Sequence, residues 1–179
     1  MESVPMSIII GIEGKKVELR IFASYPIGNL TTGGFWANGN AVGVLTSVPG
    51  FIPAINATSI HMDDTFVRYP GAPYIQDTRG LVMTDDGQII GVNMQGLVSA
   101  TPHVHDIMAN KTGVEPLRWG EMDTFTVWNF QAAAGKYSQL AEGTFVANTR
   151  LIPSDNEDTV VYMDYQISQV DAGPLCVDS

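Results

Sequence analysis

The run Asp77-Thr78-Arg79 places a carboxylate and a guanidinium two residues apart, shortly before the tight-turn sequence Asp85-Asp86-Gly87. Side chains two apart on an extended strand share one face, and a turn of this kind fixes the strand's register with its return partner. Asp77 and Arg79 should therefore project together, on the same parity as the apolar Leu81 and Met83. Such a pair can do proton chemistry if it reaches a cavity. A carboxyl group desolvated by an apolar cavity can protonate an alkene or enol near neutral pH. Arginine cannot act as a general acid, but it can stabilise a developing enolate or phenolate. Arg79 should hold Asp77 ionised, which makes Asp77 a base or an orienting group rather than an acid. The acid role then falls to Asp63 or Asp64, provided one of them is buried and away from arginine. The same Asp–Arg pair could equally be a structural clamp.

Other groupings are weaker. If Thr65 to Tyr69 is a strand, Asp64, Phe66 and Arg68 line one face, either as a cavity wall or as a solvated edge. His61 beside Asp63 could serve as an acid–base group or simply be exposed and hydrogen-bonded. His103-Val104-His105 has the spacing of two ligands on a strand, but its surroundings read as helix, where residues two apart diverge. With Cys176 as the single cysteine, no metal site is expected. Gly33-Gly34 lacks the strand–turn–helix context of a nucleotide-binding loop, and no Gly-x-Ser-x-Gly nucleophile motif is present. No metal or organic cofactor is therefore expected.

The elements that must position these residues are strands. Eighteen glycines and ten prolines punctuate short β-branched and aromatic runs, the pattern of an all-β sandwich or barrel. Lys16 to Ile21 alternates polar and apolar residues, as a half-buried strand does. Further strands are predicted over Phe35–Leu45, Thr65–Tyr69, Thr78–Thr84, Gln88–Val98, Thr124–Ala132, Tyr137–Asn148 and Thr159–Val170, the last pairing with the first to close the sheet. One helix is predicted over His103–Lys111, with Ser99 or Thr101 as its cap, Pro102 in the first turn and Gly113 at its stop. The expected architecture is a single antiparallel β-barrel domain over residues 1–170 with one short α-helix, followed by a flexible tail over 171–179.

Composition narrows the partners. The chain has 179 residues, enough for one domain with a sizeable core, and 45 % hydrophobic residues. Nine basic residues against nineteen acidic ones give a formal charge of −10. A phosphate backbone or an anionic membrane surface would be repelled, so neither nucleic acid nor membrane is an expected partner. No signal segment is recognisable, which makes a cytoplasmic protein the expectation. Between Asn110 and Thr124, the apolar Val114, Leu117, Trp119 and Met122 suggest a surface that a second copy would cover, as a homodimer.

The order of motifs resembles the DUF3237 family of small calycin-like, lipocalin-like β-barrels over roughly residues 15 to 170. Gly33-Gly34-Phe35 is similar to that family's glycine-glycine segment. Asp77-Thr78-Arg79 followed by Thr84-Asp85-Asp86-Gly87 resembles its most specific block. Asn93-Met94-Gln95-Gly96, Gly135-Lys136-Tyr137-Ser138-Gln139-Leu140 and Phe145 to Arg150 follow in the family's order. This chain departs from the pattern at Gly80, where a tyrosine is usual, at Gln131 and Gln139, and around His61-Met62-Asp63-Asp64. Fungal relatives are associated with polyketide and other secondary-metabolite pathways, including a hydroalkoxylation cyclase of phenalenone biosynthesis. The insert from Ser47 to Ser59 makes this chain look more like those fungal members.

The resemblance implies a cofactor-independent cyclase or isomerase. It would bind an aromatic polyketide-like metabolite in a barrel cavity and promote ring closure, by hydroalkoxylation or a pericyclic route, through acid–base catalysis and preorganisation. The catalytic set is expected to be Asp63, Asp64, Asp77 and Arg79. The substrate-binding set is expected to be Trp36, Arg68, Tyr69, Asn93, Gln95, Trp128, Phe130 and Tyr137. Two other classes stay open: a lipocalin-like binder of a small hydrophobic metabolite, and an interaction module with a solid barrel. Polar side chains inside a cavity favour the enzyme, an all-apolar cavity the binder, and no cavity the module.

Overall fold

The computed structural model describes residues 15–155 and 161–170, with side chains from residue 30 onward. The expected tail, including Cys176, lies outside the described residues. In chain order the elements are β1 (Lys15–Asn29), β2 (Phe35–Thr46), β3 (Asn56–Arg68), β4 (Tyr74–Thr84), β5 (Ile89–Val98), α1 (Pro102–Met108), β6 (Phe125–Gln131), α2 (Ser138–Glu142), β7 (Thr144–Pro153) and β8 (Val161–Val170). Each strand pairs antiparallel with the next, and β8 returns to β1, closing an eight-stranded barrel. An up-and-down barrel of this size leaves no open sheet edge.

Pleating divides each strand into an inner and an outer set. Ile90, Val92 and Met94 of β5 point inward and are buried, and Trp128 and Phe130 of β6 do the same. Met62 and Phe66 of β3, Phe145 and Leu151 of β7, and Met163 and Ile167 of β8 belong to the same core. Edge-to-face contacts of Trp128 with Tyr165 and of Phe130 with Phe145 lock the rings together.

Both ends are plugged. The connections after β1, β3 and β5 gather at one end, here the upper. There α1 lies across the mouth. His105 Nδ1 meets the hydroxyl of Tyr74 at the start of β4 (2.9 Å), and the helix packs on β7 at the other side of the barrel. Val104 and Ile107 of α1 are buried. At the lower end Tyr137 and Leu140 of the β6–β7 connection are buried, and Tyr137 and Lys136 bond to Asp86 in the β4–β5 turn (3.1 and 2.8 Å).

Several expected boundaries differ from those observed: β1 runs on to Asn29, β4 begins at Tyr74 rather than Thr78, and three others have a local cause. The strand expected over Tyr137–Asn148 begins only at Thr144, because Ser138–Glu142 forms α2. That segment, Ser-Gln-Leu-Ala-Glu, consists mostly of good helix formers, and Gly143 then ends the turn. The helix α1 is capped by Thr101, whose hydroxyl accepts from the Val104 N–H (3.2 Å), but it stops before Gly113. Asn110 takes the left-handed conformation (φ 49°) and ends it. β3 begins at Asn56 rather than Thr65; an irregularity in the β3–β4 register between Ser59 and His61 breaks the alternation that would have announced it.

Candidate functional site

Asp77 and Arg79 share a face, as their spacing requires, but it is the outer one. On β4 the buried residues are Tyr74, Gln76, Thr78, Val82 and Thr84, while Ile75, Arg79, Leu81 and Met83 are exposed. The expectation that this pair reaches the barrel cavity is therefore corrected. The reason is the register of the β4–β5 hairpin. Val82 pairs with Ile90, Gly80 with Val92 and Thr78 with Met94. The strongly apolar parity of β5 faces the core and carries the even-numbered residues of β4 with it. Arg79 donates from Nε and Nη2 to the two carboxylate oxygens of Asp77 (3.0 Å each), and Gln95 donates to Asp77 as well (3.0 Å). The Arg79 bonds hold the Asp77 carboxyl below its ordinary value, against a smaller opposing effect of burial.

Asp63 is likewise outside and exposed, bonded to His61 (3.1 Å). Asp64, one residue on, points inward and is 2 % exposed. Of the two acids offered by the sequence, Asp64 alone meets the condition of burial. Its hydrogen-bond partners are uncharged. Thr78 Oγ1 donates to Oδ1 (2.6 Å), and Gln76 Nε2 lies 3.1 Å from both carboxylate oxygens. Gln76 Nε2 also donates to the Tyr165 hydroxyl (2.9 Å), and that hydroxyl is 3.6 Å from Met163 Sδ. Nearby polar groups within the barrel are Thr126, which accepts from Trp128 Nε1 (2.8 Å), and Thr149, paired in register with Tyr165.

Desolvation is the largest influence on Asp64. It raises the carboxyl to about 6 from the usual 3.8, although the Thr78 and Gln76 bonds pull the other way. Near neutral pH such a group is populated in both protonation states, which is what a proton-transfer residue needs. Burial pushes the Tyr165 hydroxyl well above its usual value, so it stays a neutral donor. Two buried acceptors in this region have no partner: Gln76 Oε1 and Thr149 Oγ1. Unpaired buried polar atoms are rare and are natural points for a ligand's polar groups.

The remaining expected residues scatter. Trp128 and Phe130 are in the core, and Arg68 sits at the upper rim, bonded to Ala72 O (3.2 Å) with its guanidinium over the Tyr74 ring. Tyr69 is exposed in the β3–β4 turn, and Tyr137 plugs the opposite end. Trp36, Asn93 and Gln95 are on the outer face, because their parity follows Val67 and Ile75, Arg79, and Asp77 in the register. The structure thus brings Asp64, Trp128 and Phe130 together inside and leaves Asp63, Asp77, Arg79, Trp36, Asn93 and Gln95 outside. Sequence reasoning missed Gln76, Thr78, Tyr165 and Thr149. Among the described residues no three His, Cys, Asp or Glu side chains converge as metal ligands, and no helix is long and apolar enough to cross a membrane.

Residues 16–170 match a family described as a protein of unknown function, DUF3237. The chain belongs to this family. No curated protein matches. Solved structures share the fold at low identity. A conserved protein of unknown function from Rhodopseudomonas palustris is 16 % identical, with a TM-score of 0.72 over 89 % of this chain and 95 % of that one. A β-barrel-like protein from Acinetobacter baumannii is 15 % identical, with a TM-score of 0.62 over 88 % and 92 %. An enzyme from Penicillium herquei is 15 % identical, with a TM-score of 0.52 over 93 % and 99 %.

Proposed function

We propose that this DUF3237 protein is a cofactor-independent cyclase or isomerase in which Asp64 moves the proton. The observation that carries the reading is a carboxyl group buried inside a β-barrel with uncharged partners and raised to about 6. Its substrate is a hydrophobic or aromatic, polyketide-like metabolite, suited to the ring-rich wall of Trp128, Phe130 and Tyr165. The fungal enzyme of the same fold supports a catalytic role in this family.

In an intramolecular hydroalkoxylation the hydroxyl O–H and the alkene π bond break while a C–O and a C–H bond form. Protonated Asp64 gives its proton to the alkene carbon. The substrate hydroxyl closes on the carbocation, and the Asp64 carboxylate takes the proton released from that oxygen. The carboxyl ends as it began, and no co-reactant is consumed. Neutral Tyr165 and the free acceptor of Gln76 would orient the substrate's oxygen atoms.

A second reading, the solid barrel, rests on a different observation. The space bordered by Val44, Leu45, Met62, Val82, Val92 and Trp128 is about 10 Å³, the room of one water. A bound aromatic ring would have to displace side chains from their present packing. One assay separates the two readings: conversion of a phenol carrying an ortho-prenyl chain into its cyclic ether, followed by chromatography. The enzyme reading expects closure above the buffer rate, and a loss of roughly 10²-fold or more in Asp64→Asn. A folded wild-type protein that binds no such phenol and closes no ring contradicts it and favours the solid barrel.

A further inference from the structure

The outer surface of the barrel is covered unevenly. Outside β7 and β8 the segment between α1 and β6 lies against the sheet. Leu117 N–H donates to Leu151 O (2.9 Å), the Trp119 ring sits beneath the Arg150 guanidinium (4.9 Å), and Arg150 pairs with Asp164 (2.5 Å). Leu117 and Met122 are buried in the core. The residues expected to form a dimer surface are thus consumed by the chain's own packing. Over β3 to β6 no segment of the described chain plays this part.

That bare face has a regular pattern. Val67, Ile75, Leu97 and Phe125 are neighbours in register and form an apolar row across four strands. Below it come two rows dominated by polar groups, one with Asp77 and Gln95, the next with Asp63, Arg79 and Asn93. Leu81, Met83 and Ile89 follow as a second apolar group. The exposed apolar residues of both groups are between 43 % and 61 % accessible. Together they leave on the order of 600 Å² of side chain in water, in two groups separated by the polar rows. Between the groups runs a shallow trough of about 380 Å³ lined by Asp63, Thr65, Val67, Ile75, Asp77 and Arg79.

We infer that a second copy of this chain covers the face. The row order of β4 is self-complementary. A two-fold axis lying in the interface, across the strands and between the rows of Asp77 and Arg79, sets Ile75 over the partner's Leu81 and Asp77 over the partner's Arg79. Gln95 then meets the partner's Asn93. Such isologous pairing is what a two-fold contact requires, and face-to-face sheets pack in this manner. Two such patches bury on the order of 1,200 Å², the lower bound of a specific interface. Charge favours the same face. The chain carries −10 overall, yet this surface sets Arg79 against Asp77 and Asp63, so two copies meet here with little of the repulsion they have elsewhere.

The test is molecular mass by light scattering from about 1 to 100 μM, with circular dichroism to confirm that each variant folds. The wild type should run as a dimer. Phe125→Glu and Leu81→Lys, both on the outer face, should each weaken association by roughly 100-fold. Asp77→Arg and Arg79→Asp should each be monomeric alone, because four like charges then meet at the axis. Mixed together they should form a heterodimer, which loss of the pair within one chain could not produce. A wild type that is monomeric throughout overturns the inference. So does a dimer that survives Phe125→Glu and Leu81→Lys, and so do charge-reversed variants that stay monomeric when mixed.

Discussion

Replacing Asp64 by Asn should change how stability depends on pH, and the size can be worked from the site. A carboxyl whose folded value lies above its unfolded value holds its proton more tightly in the folded state. Its contribution to stability is fully present below the unfolded value of 3.8 and is lost as pH rises through about 6. The gap between the two values is worth about 3 kcal/mol, at about 1.4 kcal/mol for each tenfold in proton affinity. Roughly 2 kcal/mol of it falls between pH 4 and 7, because part of the unfolded-state titration is already complete at pH 4. The substituted amide cannot titrate, and the other carboxylates are common to both proteins. The difference in unfolding free energy between wild type and Asp64→Asn should therefore shift by about 2 kcal/mol against the wild type from pH 4 to 7. Urea denaturation at several pH values in that range measures it. A difference that stays constant with pH would mean that Asp64 titrates as it does in the unfolded chain, contrary to this expectation.

Other substitutions test the frame around the site. A Cβ on Gly80 would lie 2.2 Å from the His61 carbonyl oxygen and 2.7 Å from Met62 Cα, where the β3 backbone cannot retreat. Gly80→Ala should thus destabilise by roughly 2 kcal/mol or more, read as a lowered urea midpoint. Asp86 accepts from Lys136, Thr84 and Tyr137, and these contacts, Lys136 foremost, lower its carboxyl to about 2. The wild type should be more stable than Asp86→Ala at neutral pH. That advantage is present above 3.8 and should fade as pH falls through about 2, followed by thermal unfolding.

The barrel was legible because its strands are many and short and its turns are marked by glycine. The closing pair of β8 with β1 could be read as well. The site was legible only in part, and β4 shows why. Its outer set, Ile75, Asp77, Arg79, Leu81 and Met83, is as apolar as its inner set, Tyr74, Gln76, Thr78, Gly80, Val82 and Thr84. Neither parity announces itself as core, and the ion pair belongs to the outer one. The deciding signal was in the next strand. Ile90, Val92 and Met94 alternate with Gly91 and Asn93, and the hairpin register transfers that preference to β4. The same register would have picked out Gln76 and Thr78. Asp64 could be distinguished from Asp63 by its parity with Met62 and Phe66. Tyr165 could not be recognised as polar company for a carboxylate, since it alternates with Val161, Met163 and Ile167 as an ordinary core residue does.

The proposed chemistry requires the Asp64 carboxyl to exchange its proton near neutral pH inside the barrel. Carbon-13 NMR of aspartate-labelled protein, with Asp64→Asn to assign the resonance, reports that proton directly. The Asp64 carboxyl carbon should titrate at about 6, while the Asp77 and Asp86 carboxyl carbons should titrate below the usual aspartate value. A resonance that titrates at or below 3.8 would contradict it, because the group would then be fully ionised at neutral pH, with no proton to give.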